Sequence, residues 1–185
     1  LKNIKIVLDC ANGAGYKAGP KLLKSLGAKV VCLGTSPNGL NINKNCGSTF
    51  PKKIQSAVKK YNAHIGIALD GDADRVFFMD EKGEPVSGSL ATALIADQIL
   101  KENKNESVIY NLICSKVVPE TIKKNDGKGI RSRVGHSFIK ELMEKHDAVF
   151  GGEHSGHYYF RKNYRADSGV IAALVVLVAL SEHGG

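Results

Sequence analysis

The chain has no tryptophan, two methionines and five prolines, and aromatic residues make up 6% of its 185 positions. So few aromatics leave no stacking platform of the kind that single-stranded nucleic acid needs. The four cysteines, Cys10, Cys32, Cys46 and Cys114, form no CxxC pair and no Cys/His group with zinc spacing. That pattern excludes a zinc finger and a disulfide framework, and it reads as reduced thiols in a cytoplasmic protein. Cys10 and Cys32 lie in apolar, strand-like runs and are expected in the core. The longest strongly apolar run, Val170 to Leu180, falls well short of the ~20 residues that span a bilayer. It reads as a buried helix, so no membrane is expected as a partner. The start, Leu1-Lys2-Asn3-Ile4, has neither the basic stretch nor the apolar segment of a signal peptide.

Hydrophobic residues at 43% and charged residues at 24% suit one ordinary globular domain or two small ones. The net charge is +8. Residues 1–86 carry 13 basic against 7 acidic side chains, and the rest 13 against 11. The excess is scattered over Lys21 and Lys24 and over Lys52, Lys53, Lys59 and Lys60, as on solvated helix faces. With no helix-turn-helix or RNP-like pattern, nucleic acid is not expected; an anionic small substrate is the better partner.

Hydrophobic periodicity lays out two α/β units. In the first, a strand at Ile4–Asp9 leads through a small-residue turn to a helix from about Gly19 to Leu26. A strand at Ala28–Leu33, a long Asn/Gly-rich loop, a helix at Pro51–Tyr61 and strands at His64–Leu69 and Val76–Met79 follow. Ile54, Ala57, Val58 and Tyr61 share the apolar face of the second helix. A turn at Asp80–Glu84 places a domain boundary near residue 86, giving domains 1–86 and 87–185. The second unit reads as helix 90–100, strand 107–114, helix 117–124, strand 129–134, helix 137–145, strand 148–150, strand 158–160 and helix 169–181. The fold expected is two consecutive three-layer α/β domains with mixed, mostly parallel sheets. Each half shows a strand, a glycine-rich acidic loop and another strand.

Chemistry concentrates in three loops. Asp70-Gly71-Asp72-Ala73-Asp74-Arg75 puts three carboxylates at i, i+2 and i+4 directly after an apolar strand. Like charges so close need a compensating cation, and oxygen donors suit a hard divalent ion. Arg75 adds a guanidinium fork for a phosphate or carboxylate. An EF-hand would place Glu81 at the twelfth loop position, but it needs glycine where Arg75 stands. An aspartyl-phosphate enzyme would use Asp72 and Asp74, but its partner lysine is not evident. A plain surface hairpin explains one Asp-Gly better than three spaced carboxylates. The second loop is Gly151-Gly152-Glu153-His154-Ser155-Gly156-His157. On an extended segment Glu153, Ser155 and His157 point the same way, and a carboxylate beside a hydroxyl suits vicinal sugar hydroxyls. Zinc on His154 and His157 lacks a third ligand, and an ordinary glycine-rich turn is the plainer alternative. The third loop, Arg131-Ser132-Arg133-Val134-Gly135-His136-Ser137, puts two arginines and a histidine around a helix start, where anions are favoured. Taken alone, a histidine placed like His136 is more often structural, and its weight comes from the other two loops.

Together these loops resemble the α-D-phosphohexomutase superfamily. Asp70 to Arg75 is similar to its metal-binding loop and Gly152 to His157 to its sugar-recognition loop. Leu8-Asp9-Cys10-Ala11-Asn12-Gly13-Ala14-Gly15 resembles the start of its second domain. The resemblance runs along nearly the whole chain. It implies the second and third of four domains, with a phosphoserine domain before Leu1 and a phosphate-binding domain after Gly185 as missing partners. It also implies a reversible exchange between hexose 1-phosphate and hexose 6-phosphate through a 1,6-bisphosphate, and an isolated 185-residue piece without mutase activity. Mg2+ would be held by Asp70, Asp72 and Asp74, with Arg75 at the moving phosphate. Substrate contacts would come from Arg133, Gly135, Glu153, Ser155 and His157, and His136 would transfer a proton or touch the sugar. Ser155 has the context of the sugar loop, not of the phosphoserine. Arg133 to Ile139 and His157 to Phe160 are similar to the phosphomannomutase/phosphoglucomutase branch. The phosphoglucosamine branch, which usually has an acidic residue where His136 stands, is resembled by Gly39 to Asn43 and Asn45 to Thr49. The second half is given the greater weight because it should touch the sugar, which makes mannose and glucose phosphates the expected substrates. Some bacterial members have a lysine where Ile113 stands, so that lysine's role does not carry over.

Overall fold

A computed structural model describes residues 1–182. The chain divides into two compact units: Leu1–Val86, joined by the tail of the chain from Leu177, and Ser87–Val176.

In the first unit β1 (Lys5–Asp9) and β3 (Ile65–Leu69) are apolar and almost wholly buried, as strands covered on both faces must be. β1 pairs in parallel with β2 (Lys29–Leu33) and with β3. β4 (Val76–Met79) returns antiparallel to β3, and β5 (Pro85–Val86) antiparallel to β4, giving the order β2-β1-β3-β4-β5. The helices α1 (Ala18–Ser25) and α2 (Pro51–Tyr61) make the crossovers. Pro51 opens α2, where a missing N–H costs nothing, and Asn62 closes it in the left-handed region with φ 46°. Ile54, Ala57 and Val58 pack on Val7, Ala68 and Met79. Tyr61, expected on the same face, is instead 39% exposed; it sits in the last turn, beneath the Lys60 ammonium.

The second unit contains α3 (Gly88–Glu102), β6 (Ser107–Asn111), α4 (Val117–Lys124), β7 (Lys128–Ser132), α5 (His136–Lys145), β8 (Phe150–Gly152), β9 (Tyr158–Phe160) and β10 (Ala166–Asp167). The chain continues into α6 (Gly169–Glu182). The sheet order is β10-β9-β8-β6-β7, with β6 parallel to β7 and β8, and β9 antiparallel to β8 and β10. Read from the other edge, this is the order of the first sheet, strand for strand. Both sheets are mixed, with two parallel and two antiparallel ladders each, and helices flank them. Ile109, Ile139, Met143, Ala148 and Tyr159 form the core beneath α5.

The structure departs from the sequence expectation at several ends. β6 stops at Asn111 rather than Cys114, because the chain turns there with Cys114 N–H on the Asn111 carbonyl. Leu112 and Ile113, apolar but 47% and 54% exposed, lie in that turn. β5 and β10 are two-residue strands that no periodicity can reveal.

Cys10 is fully buried at the end of β1, and burial, helped by neighbouring Cys32 and Asp9, pushes its thiol up to about 12 from 9.0. The unfolded chain therefore releases this proton at lower pH than the folded one, so Cys10 lowers stability as pH rises from about 9 to about 12. At pH 8 the native chain is expected to leave Cys10 unalkylated by iodoacetamide over hours, and to react there once urea is added. Mass spectrometry of the labelled peptides checks this; rapid native labelling of Cys10 would contradict the burial.

Candidate active-site loops

Functional loops gather where parallel strands end. In the first unit the acidic loop leaves β3 and turns straight back into β4. Asp70 is buried, Asp72 exposed and Asp74 half-buried, and one oxygen from each lies within 4.8 Å of the others. The loop is no EF-hand, as its sequence already argued, since Val76–Met79 is a strand and Glu81 lies in the turn beyond it. Asp70 holds Arg75 twice: Arg75 Nε donates to Asp70 Oδ2 at 2.6 Å and Arg75 N–H donates to Oδ1 at 3.2 Å. That bond raises the Arg75 guanidinium further above its ordinary value and keeps it charged. A second carboxylate oxygen, from Asp74, lies 3.8 Å from Nε.

Packing of the loop backbone fixes the trio. Ala14 N–H donates to the Gly71 carbonyl at 2.8 Å. A Cβ on Gly13 would stand 2.1 Å from the same oxygen, and one on Gly71 would press on Ile42 and Asn43. Ala73 takes a left-handed φ of 66° so that Asp72 and Asp74 can turn toward Asp70. A cavity of about 570 Å³ opens beside the loop, lined by Asn12, Tyr16, Asn43, Asp70, Asp72 and Arg75 among others. Three carboxylate oxygens with no sulfur or imidazole among them fit a hard divalent ion such as magnesium.

In the second unit three loops meet at one sheet edge. Glu153, directly after β8, is 2% exposed. Its Oε1 accepts from Tyr159 Oη at 2.6 Å, and its Oε2 accepts from Asn111 Nδ2 at 3.0 Å and from Gly135 N–H at 3.5 Å. One buried carboxylate thus ties together the ends of β6 and β8 and the start of α5. The segment 153–157 is not extended as the sequence implied. Gly156, with φ 91°, lets it turn, and Gly156 N–H donates to the Glu153 carbonyl. Glu153 is therefore buried while Ser155 is exposed, and the two do not project alike. His157 Nδ1 lies 2.8 Å from Asp167 Oδ2, and Lys140 Nζ lies 3.5 Å from the other Asp167 oxygen.

His136 opens α5, following Gly135, whose φ of 127° only glycine adopts readily. Arg133 stacks over the Phe138 ring, 4.0 Å from guanidinium carbon to centroid, and Arg131 donates to the Leu112 carbonyl. Asn111, Tyr159, Asp167 and Ser89 escaped the sequence reading. Asn111 alone carried a signal, as the polar residue ending a buried parallel strand. Cys114, whose thiol burial raises, donates to Asn111 Oδ1 at 3.3 Å.

Two α/β domains with one strand order, a carboxylate trio after one third strand and a glycine-rich loop after the other, define the phosphohexomutase class. The chain belongs to the phosphoglucomutase/phosphomannomutase family: its alpha/beta/alpha domain II matches residues 1–83 and its alpha/beta/alpha domain III matches residues 87–185. The chain is 51% identical over 181 residues to the phosphoglucosamine mutase of Pelagibacter ubique, covering 97% of this chain and 41% of that protein. It is 44% identical over 185 residues to the phosphoglucosamine mutase of Geotalea uraniireducens, covering 99% of this chain and 41% of that protein. It therefore spans about two-fifths of the length of these relatives. Among solved structures, a phosphoglucomutase/phosphomannomutase family protein from Burkholderia thailandensis superposes with a TM-score of 0.86 at 28% identity, over 95% of this chain and 40% of that one. The Aspergillus fumigatus N-acetylphosphoglucosamine mutase, solved with GlcNAc-6P and magnesium, has a TM-score of 0.63 at 19% identity, over 97% and 39%.

Proposed function

We propose that these residues form the metal-binding and sugar-recognising part of a mutase that interconverts the 1- and 6-phosphates of a hexosamine, with glucosamine phosphate as substrate. The observation that carries the mutase reading is the trio of Asp70, Asp72 and Asp74 converging beside Arg75, with Asp70, Asp72 and Arg75 lining an open cavity. The choice of sugar rests on relatives 40–51% identical that are named phosphoglucosamine mutase. A mannose or glucose phosphate is the second reading, favoured by His136 and the residues around it.

In this mechanism a phosphoserine from outside these residues gives its phosphoryl group to a sugar hydroxyl. The resulting 1,6-bisphosphate turns over, and its other phosphate returns to the serine. Asp70, Asp72 and Asp74 would hold magnesium, and the ion would supply charge neutralisation for the phosphoryl group in transfer. Arg75, anchored through Nε by Asp70, offers its guanidinium to the same phosphate. Ser155 and Glu153 meet the sugar hydroxyls, with Glu153 held at fixed height by Tyr159 and Asn111. His136, Gly135 and Arg133 line the approach at the start of α5, and His157 is oriented by Asp167. We place the protein in the cytoplasm; among the described residues no helix is long and apolar enough to cross a membrane.

Coupled assays on the complete gene product test this. Glucosamine 6-phosphate is expected to turn over with kcat/KM about tenfold or more above mannose and glucose phosphates, a discrimination within reach of one site contact. EDTA is expected to abolish turnover, and magnesium to restore it. Preference for mannose or glucose phosphate would move the assignment to the second reading. Calorimetric binding of sugar phosphates without any turnover would make this a binding module and overturn the mutase assignment.

A further inference from the structure

Ser89 lies in the first turn of α3 and is 3% exposed. Its hydroxyl does not cap its own helix, because Ser87 performs that task by accepting from Leu90 N–H. Instead Ser89 Oγ accepts from Ser115 N–H at 3.0 Å and lies 2.9 Å from His154 Nδ1. These partners are 26 and 65 residues away. One belongs to the turn after β6 and the other to the loop after β8.

The backbone around Ser89 is pressed against the same loop. A Cβ on Gly88 would stand 2.1 Å from the His154 carbonyl oxygen, and one on Gly152 would stand 2.5 Å from Thr92 Cγ2. Thr92 turns its own hydroxyl back to the Gly88 carbonyl at 2.7 Å. No hydrogen bond crosses either close approach, since the Thr92 hydroxyl is turned to its own helix, so sterics set how close the loop sits but not its register. Register needs a directional bond, and Ser89 supplies two at one point. A buried hydroxyl without partners would be costly, and alanine would fill nearly the same volume. The hydroxyl is therefore explained by what it joins.

We propose that Ser89 is a positioning residue for sugar recognition, acting through His154 to hold the loop that carries Glu153 and Ser155. Ser115 N–H donates to the Ser89 oxygen, and the same hydroxyl is joined to His154 Nδ1 by the second bond. The exposed ring of His154 is then a handle by which α3 grips the loop. Ser155, next in sequence, takes its place from it, and Glu153, on the other side, is held in addition by Tyr159 and Asn111. The sugar part of this inference rests on the mutase reading given above.

Two measurements test the clamp. Long-range proton–nitrogen NMR on the 185-residue chain is expected to show His154 with a hydrogen-bonded Nδ1, and Ser89→Ala is expected to shift that nitrogen. A wild-type His154 whose Nδ1 carries no hydrogen bond, or a spectrum unmoved by Ser89→Ala, overturns the clamp whether or not the protein is a mutase. In the complete gene product, Ser89→Ala is expected to raise KM for the hexosamine 6-phosphate about tenfold with kcat within about twofold, the loss that one buried hydrogen bond produces. His154→Ala is expected to do the same, and the double variant to do no more, since both act through one contact. Additive losses, or an unchanged KM, overturn the positioning role. Should Ser89→Ala fail to fold, the wild-type spectrum and the His154→Ala kinetics still decide the matter. If the wild-type gene product turns over no hexose phosphate, the mutase reading falls and takes the sugar role with it, while the spectra judge the clamp separately.

Discussion

Asp72→Asn in the complete gene product is expected to cut mutase turnover about a thousandfold, in the range seen when one electrostatic partner of a developing charge is removed. Asp72 is the exposed member of the trio, so the substitution keeps shape and fold and removes a single negative charge. A neutral amide oxygen is a poor replacement for a carboxylate on a hard cation that keeps few protein ligands. The loss should shrink as magnesium is raised, because weaker binding can be offset by mass action. Circular dichroism and the unfolding midpoint should not move. Wild-type turnover by this variant would refute the metal assignment. Asp70→Asn makes a less clean test, because Asp70 is 1% exposed and also holds Arg75 through two hydrogen bonds.

The second large effect is steric. Gly13→Ala places a methyl carbon 2.1 Å from the Gly71 carbonyl oxygen, where no flexible side chain can give way. Gly13 has an extended backbone, φ −107° and ψ −163°, so alanine meets no torsional strain and the clash is the whole effect. Either the 10–16 segment or the acidic loop must move, at a cost of about 3 kcal/mol, the upper end for overpacking. Urea unfolding of the 185-residue chain should show an earlier transition, and calorimetry should show weaker magnesium binding in the folded state. An unchanged midpoint with unchanged magnesium affinity would mean that the two loops do not touch as described.

How much of this was legible in the sequence follows from what each residue does locally. α2, β4 and β9 match their expected limits, because a proline start, an apolar run or an aromatic triplet between turns is a local signal. The carboxylate trio was legible for the same reason: three aspartates at alternate positions after a strand make their own case. Leu112 and Ile113 misled because hydrophobicity extends a predicted strand past the point where backbone bonding ends it. The set around Glu153 was hidden for a different reason. Its partners lie 6, 18 and 42 residues away, and Tyr159 reads as one more core aromatic until its hydroxyl is placed. Glu153 itself was picked out as a sugar ligand, yet its burial and bonding also make it the tie between three loops. Ser89 gave no sign at all, since it falls just before the helix expected from residue 90, where a serine usually faces solvent.

In both sheets the third strand is bordered by a parallel partner on one side and an antiparallel one on the other, and the loop after it is a hairpin bend. Such a bend is stitched at both ends by ladder hydrogen bonds, unlike a crossover that wanders off to a helix. Chemistry mounted on it is shaped during folding rather than on arrival of the ligand. The entropy of arranging three aspartates, or of folding the 153–157 turn, has already been lost before any sugar phosphate comes near. What remains for the ligand to do is to fit.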